Sequence, residues 1–185
     1  MKHLTFSVLF IAAVVTAQEY HVDRKAENLV KFTSDAPLEK IVGTTKAIDG
    51  YVLLQSIDGK QSGEFQFEVD LATLDTGIGL RNRHMRDNYL ETKRYPFAVY
   101  KGRIIEAEET ADGYRVKTQG IFDLHGVQKE MTIDGRVTAT EKGYRAESRF
   151  EIALADFKIE RPQLMLLKVG EVVQVEVEFY VVPAK

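Results

Sequence analysis

Between residues 63 and 182 the chain reads mainly in twos. Phe65, Phe67, Val69 and Leu71 alternate with Glu64, Gln66, Glu68 and Asp70. Tyr114, Val116, Thr118, Gly120, Phe122 and Leu124 alternate with Arg115, Lys117, Gln119 and Asp123. The same rhythm runs through 127–134, 144–154 and 173–181. A period of two gives a strand with one wet and one dry face, and such faces suit antiparallel sheets. Asp58-Gly59, Asp112-Gly113, His125-Gly126 and Lys142-Gly143 fall between the runs, where hairpins turn. The pattern predicts about eight strands, near 19–23 with 27–34, 38–54, 63–72, 96–107, 112–124, 127–139, 143–155 and 171–182. Long connected strands of this kind make a sandwich or close into a barrel, and closure removes the exposed edges. A barrel of eight strands is about the size that holds one small ligand.

Asp75 to Tyr95 breaks the rhythm. Asn82 is expected to cap a short helix over 83–91, with Thr92 and Pro96 beyond it. A link of this length in a compact domain is often functional. Asp156 to Gly170 is a second irregular stretch.

The first residues follow another rule. Met1-Lys2-His3 is a basic start, Leu4 to Ala17 is uncharged and mostly apolar, and Val15-Thr16-Ala17 supplies small side chains for a peptidase. These are the parts of a secretory signal peptide over 1–17. A spanning anchor needs about 20 apolar residues, more than the stretch between Lys2 and Glu19 provides. The expectation is an exported chain, periplasmic or secreted, with one domain over 18–185 and no stable transmembrane segment after processing.

Composition then removes chemistries. The 185 residues contain no cysteine, so disulfides, thiolate metal sites, a thiol nucleophile and a lipid-acylated cysteine are excluded. The net charge of -3 is not that of a nucleic-acid binder. Against that charge, 81–103 concentrates Arg81, Arg83, Arg86, Lys93, Arg94, Lys101 and Arg103 beside only Asp87 and Glu91. The cluster reads either as a site for an anionic headgroup or as a solvated, salt-bridged surface. His84 and His125 with Asp75, Asp87 or Asp123 would be the acid–base candidates, but no metal-ligand spacing accompanies them. Nucleophile motifs of the G-x-S-x-G and S-x-x-K kinds are absent. No catalytic group, metal or cofactor is therefore expected. On the dry face, Phe65, Phe67, Tyr100, Ile104, Tyr114, Phe122, Phe150 and Phe179 point inward, as a filled core or as the lining of a cavity.

Thr73 to Gly102, TLDTGIGLRNRHMRDNYLETKRYPFAVYKG, resembles the signature stretch of the YceI-like family of exported, lipocalin-like isoprenoid-binding proteins. Its carriers are Leu74 to Gly77, Arg83 to Asp87, Leu90, Tyr95-Pro96 and Tyr100. Gly120 to Lys129, Asp156 to Ile159 and Glu19 to Asp23 are similar to the family's later hairpin, its D-F-G-I turn and its opening strand. Lys158 stands where the family usually has glycine, and Asp123 and His125 also depart from its usual residues. The resemblance implies an all-β fold, an extended eight-stranded antiparallel lipocalin-like barrel with a short helix in the 75–95 loop. It implies an apolar cavity for a polyisoprenoid or other long-chain amphiphile, held by a carrier or sequestering protein. The eight inward residues would line that cavity, and Arg81, Arg83, His84 and Arg86 would meet the headgroup. The competing readings are an enzyme acting on such a lipid through His84 and Asp87, and a filled barrel serving structure or interaction. An exposed strand edge would allow a homodimer.

Overall fold

The structure, a computed structural model, describes residues 16–35, 40–57, 60–161, 163–164, 167–168 and 170–184. Its strands are β1 (Thr16–Val22), β2 (Leu29–Asp35), β3 (Lys40–Thr45), β4 (Ile48–Ile57), β5 (Lys60–Asp70) and β6 (Phe97–Thr110). There follow β7 (Gly113–Leu124), β8 (Val127–Ala139), β9 (Tyr144–Ala153), two short strands β10 (Gln163–Leu164) and β11 (Leu167–Lys168), and β12 (Val172–Pro183). One helix, α1 (Gly79–His84), lies between β5 and β6.

The neighbour order β1-β4-β5-β6-β7-β8-β9-β12, with β12 returning to β1, is a closed antiparallel barrel of eight strands. Every strand in it has two partners, so no edge of the ring is left to aggregate. Two extra strands, β2 and β3, hang on the barrel through β12. The expected strand of 19–23 with 27–34 is thus one column in two pieces: β12 pairs β1 at Val181–Pro183 and β2 at Val173–Glu178. Asn28 explains the break. Its buried side chain donates to the Asp23 carbonyl at 2.9 Å and accepts from the Tyr180 N–H at 3.1 Å, replacing ladder bonds where the chain turns. The expected strand 38–54 also divides, into β3 and β4. Thr45 Oγ1 accepts from the Ala47 N–H at 3.0 Å, and the chain bends there. Below the bend β3 follows β2, while β4 stays between β1 and β5.

The gap that β3 leaves is filled by the link after β5. Asp75 and Thr44 exchange both backbone hydrogen bonds at 2.9 Å, pinning the link to β3. The helix there differs from the expected 83–91. It starts at Gly79, and the chain widens into a π-helical turn over Met85–Tyr89. Asn82 does not cap it. It is buried inside the helix, and its side chain faces back to Asp75 and Thr76.

Hairpins form at Asp112-Gly113, His125-Gly126 and over 140–143, as expected, while Asp58-Gly59 lies outside the described residues. His125 and Gly126 both have positive φ, 55° and 71°, the backbone of a tight two-residue hairpin turn. Ile105 is a bulge: β6 pairs β7 through Ile104 and again from Glu106. The extra residue turns Ile105 outward and moves the inward position from even to odd numbers. β8 and β9 pair only from Gly135↔Ser148 to Ala139↔Tyr144, and then part. The single turn Leu154–Phe157 closes that gap, with Phe157 buried against Phe122, Leu124 and Ile152. Lys158 then takes φ 55°, a left-handed conformation for which glycine is the ordinary choice. Of the expected signal segment, residues 1–15 lie outside the described residues, and Ala17 pairs with Gln55.

Candidate functional site

The barrel interior is a chamber of about 230 Å³. All eight inward residues expected from the alternation line it: Phe65, Phe67, Tyr100, Ile104, Tyr114, Phe122, Phe150 and Phe179. Their rings form a chain of contacts. Phe179 to Phe67 is 4.6 Å between centroids, Phe67 to Phe65 5.5 Å, and Phe65 to Tyr100 5.0 Å. Phe122 lies 6.1 Å from Tyr100 and 5.9 Å from Phe150. Such pairs hold one another in place, so the wall is preorganised. Two inward hydroxyls, those of Tyr100 and Thr118, are satisfied within the wall. Tyr100 donates to the Met131 carbonyl at 3.2 Å and stands 3.1 Å from Thr118 Oγ1, which donates to the Ile133 carbonyl at 2.8 Å. Burial pushes the Tyr100 hydroxyl pKa up, so the ring stays neutral.

A second chamber of about 500 Å³ lies between β2, β3, the 71–90 link and β12. Ala98 and Phe122 line both chambers and so form the waist between them. Ile78 and Leu80 line the second chamber while 51 % and 61 % exposed, which places them at its rim. The sequence pattern had shown the strand 27–34 but not this face: Val30, Phe32 and Ser34, two apart on β2, all point into the chamber. Ile41 of β3 and Val173 and Val175 of β12 complete that wall.

Of the four expected headgroup residues, Arg81 and His84 line this loop-side chamber. Arg83 is exposed and outside the lining, and Arg86 turns to donate to the Ala72 carbonyl at 2.8 Å. Arg81 donates to Thr76 through both Nε and Nη2, at 3.0 Å each. Asn82 organises the same corner. Its Oδ1 accepts from the Thr76 N–H at 2.8 Å and hydroxyl at 2.7 Å, and its Nδ2 donates to Asp75 Oδ1 at 2.7 Å. These bonds from Asn82 and from the Gly77 N–H hold the Asp75 carboxyl below its ordinary pKa.

The acid–base candidates are dispersed. His84 lines the loop-side chamber, Asp87 is exposed, and His125 lines neither chamber. Instead His125 joins three loops. Its Nε2 is 2.8 Å from Glu91 Oε2, its Nδ1 3.1 Å from the Phe157 carbonyl, and its ring 4.7 Å from that of Tyr95. Among the described residues no group of three or more His, Asp or Glu could hold a metal ion, and no helix is long and apolar enough to cross a membrane.

Comparison with known proteins agrees with the architecture. The family model described as the YceI-like domain matches residues 20–181. A polyisoprenoid-binding domain from Saccharophagus degradans, implicated in plant cell wall breakdown, superposes with a TM-score of 0.71 at 22 % identity, covering 89 % of this chain and 98 % of its own. BcnA of Burkholderia cenocepacia gives 0.70 at 17 % identity, over 85 % and 98 % of the two chains. The YceI protein of Campylobacter jejuni gives 0.59 at 17 % identity, over 80 % and 87 %. No curated protein sequence matches the chain.

Proposed function

The chain belongs to the YceI-like family, and from that membership we propose that it is an exported, non-catalytic protein that binds a polyisoprenoid or similar long-chain lipid. The observation that carries this reading is the apolar interior in two adjoining chambers, about 230 and 500 Å³, that share Ala98 and Phe122. A filled barrel would have no such space. The structural neighbour from Saccharophagus degradans, a polyisoprenoid-binding domain, supports the same ligand class.

The energetics suit a long tail. Burying about fifteen carbons at ~0.8 kcal/mol each gives roughly 12 kcal/mol gross, from which the lost freedom of ligand and protein is subtracted. Affinity then needs no hydrogen bond to the tail. Selectivity falls to chamber length and to the polar groups at the loop side, Arg81 and His84 among them.

Native mass spectrometry and organic extraction of the purified protein test the reading. A co-purifying long-chain lipid, or stoichiometric uptake of an added polyprenol, is the expected result. A protein that carries none and takes up none would overturn it. Export is tested by intact mass after expression with the full leader: the processed chain should begin at Gln18. Replacing Asp87 by Asn should leave the mass of the bound lipid unchanged, since it lines neither chamber and no turnover is assigned to it.

A further inference from the structure

Ser34 Oγ is the one buried side-chain polar atom without a hydrogen-bond partner among the described residues. The residue is 3 % exposed and lines the loop-side chamber. Its place on β2 fixes its direction. Val30, Phe32 and Ser34 share the inward face, and Ser34 stands between Ile41 on β3 and Val173 on β12, both lining residues. Alanine or valine would fill this position at no polar cost. A buried hydroxyl left unpaired is a penalty that native structures rarely keep. Elsewhere in the same interior, Tyr100 and Thr118 bond to β8 carbonyls, and Thr76 bonds to Asn82.

We propose that Ser34 is a subsite for an uncharged oxygen, a hydroxyl or carbonyl, carried by the lipid. This rests on the lipid-binding reading and adds to it a headgroup class and an orientation. The oxygen end lies in the loop-side chamber against Ser34, and the tail passes the Phe122–Ala98 waist into the barrel. A neutral group fits better than an anion. One hydroxyl cannot replace the hydration shell of a buried charge, and the Arg81 guanidinium is already directed at Thr76. A serine can both donate to a carbonyl and accept from a hydroxyl.

The test uses the delipidated full chain and two probes of one carbon skeleton, farnesol and the hydrocarbon farnesene. Both displace N-phenyl-1-naphthylamine, and affinities are compared between wild type and Ser34→Ala. The expected result is a loss of about two- to tenfold for farnesol, the range of one hydrogen bond, with farnesene unchanged. The unliganded variant should melt no lower than wild type, because the hydroxyl removed has no partner. Equal losses for both probes would mean a general change of cavity shape and would overturn the subsite. No loss for either would also overturn it. If neither probe binds wild type and no lipid co-purifies, the lipid-binding reading itself fails, and the subsite falls with it.

Discussion

Asn82 Nδ2 donates to Asp75 Oδ1 at 2.7 Å, and Asp75 in turn exchanges two backbone hydrogen bonds with Thr44 of β3. Three elements meet in that pair: the helix at the loop-side chamber, the link before it, and the outermost strand. Asn82→Ala would remove the bond to Asp75 and leave the Thr76 N–H and hydroxyl without their acceptor. At about 0.5–1.5 kcal/mol for each hydrogen bond lost, a drop of roughly 2–3 kcal/mol in urea unfolding is expected. Hydrogen exchange at Thr44 and Thr76 should speed up before that in the barrel strands. Uniform acceleration through β4 to β9 would contradict a local role.

Phe122 stands in both chambers, so its removal acts on stability and on the space available to a ligand. Phe122→Ala should cost about 3–5 kcal/mol in denaturant unfolding, the usual range for deleting a buried ring. It should also widen the waist between the two chambers. Native mass spectrometry with a polyprenol series should then show a shift toward longer chains, relative to Phe122→Leu, which keeps a bulky apolar group. An unchanged length profile would argue against a waist at this residue.

The barrel was legible in the sequence because its signal is local. Two-residue alternation at Phe65–Leu71 and Tyr114–Leu124 is written in adjacent positions, and the Asp-Gly and His-Gly turns punctuate it. The inward face followed from the same arithmetic, and all eight residues assigned to it line the barrel chamber. What the pattern hid depends on distant partners. Nothing near residue 46 announces that β3 leaves β4 to follow β2. Asn82 looked like a helix cap because capping and loop bonding use the same short amide, and only the position of Asp75 decides between them. The loop-side chamber was missed for the same reason: its walls come from β2, β3, the 71–90 link and β12, which are remote in the chain.

Two carboxylates on β12 contribute, with Asp75, to the response to acid. Glu178 is held below its ordinary value of 4.5 by the hydrogen bond from Arg145, and Glu176 by that from Lys31. A depressed carboxylate contributes stability that is present above its unfolded pKa and lost as pH falls through its folded one. The melting temperature should therefore fall as pH drops below about 4.5. Glu178→Gln should lower it at pH 7 and flatten the acid limb. A variant with an acid limb as steep as wild type would remove Glu178 from this account.

Gly102 and Gly120 face each other across β6 and β7. A Cβ on Gly102 would sit 2.3 Å from the Gln119 carbonyl oxygen and 2.6 Å from the Gly120 Cα, where only backbone could give way. Gly102→Ala should cost about 1–3 kcal/mol, the usual range for overpacking, read from urea unfolding. A neutral effect would mean that the two strands separate easily at this rung.

The strand that closes the ring is the last one made. β12 pairs β9 on one side and both β1 and β2 on the other, and its rungs with β1 involve Val181 to Pro183. The seven barrel strands before it cannot become a ring until β12 is made and free to pair with β1. The enclosed interior therefore comes into being only with β12, however early the other seven strands pair.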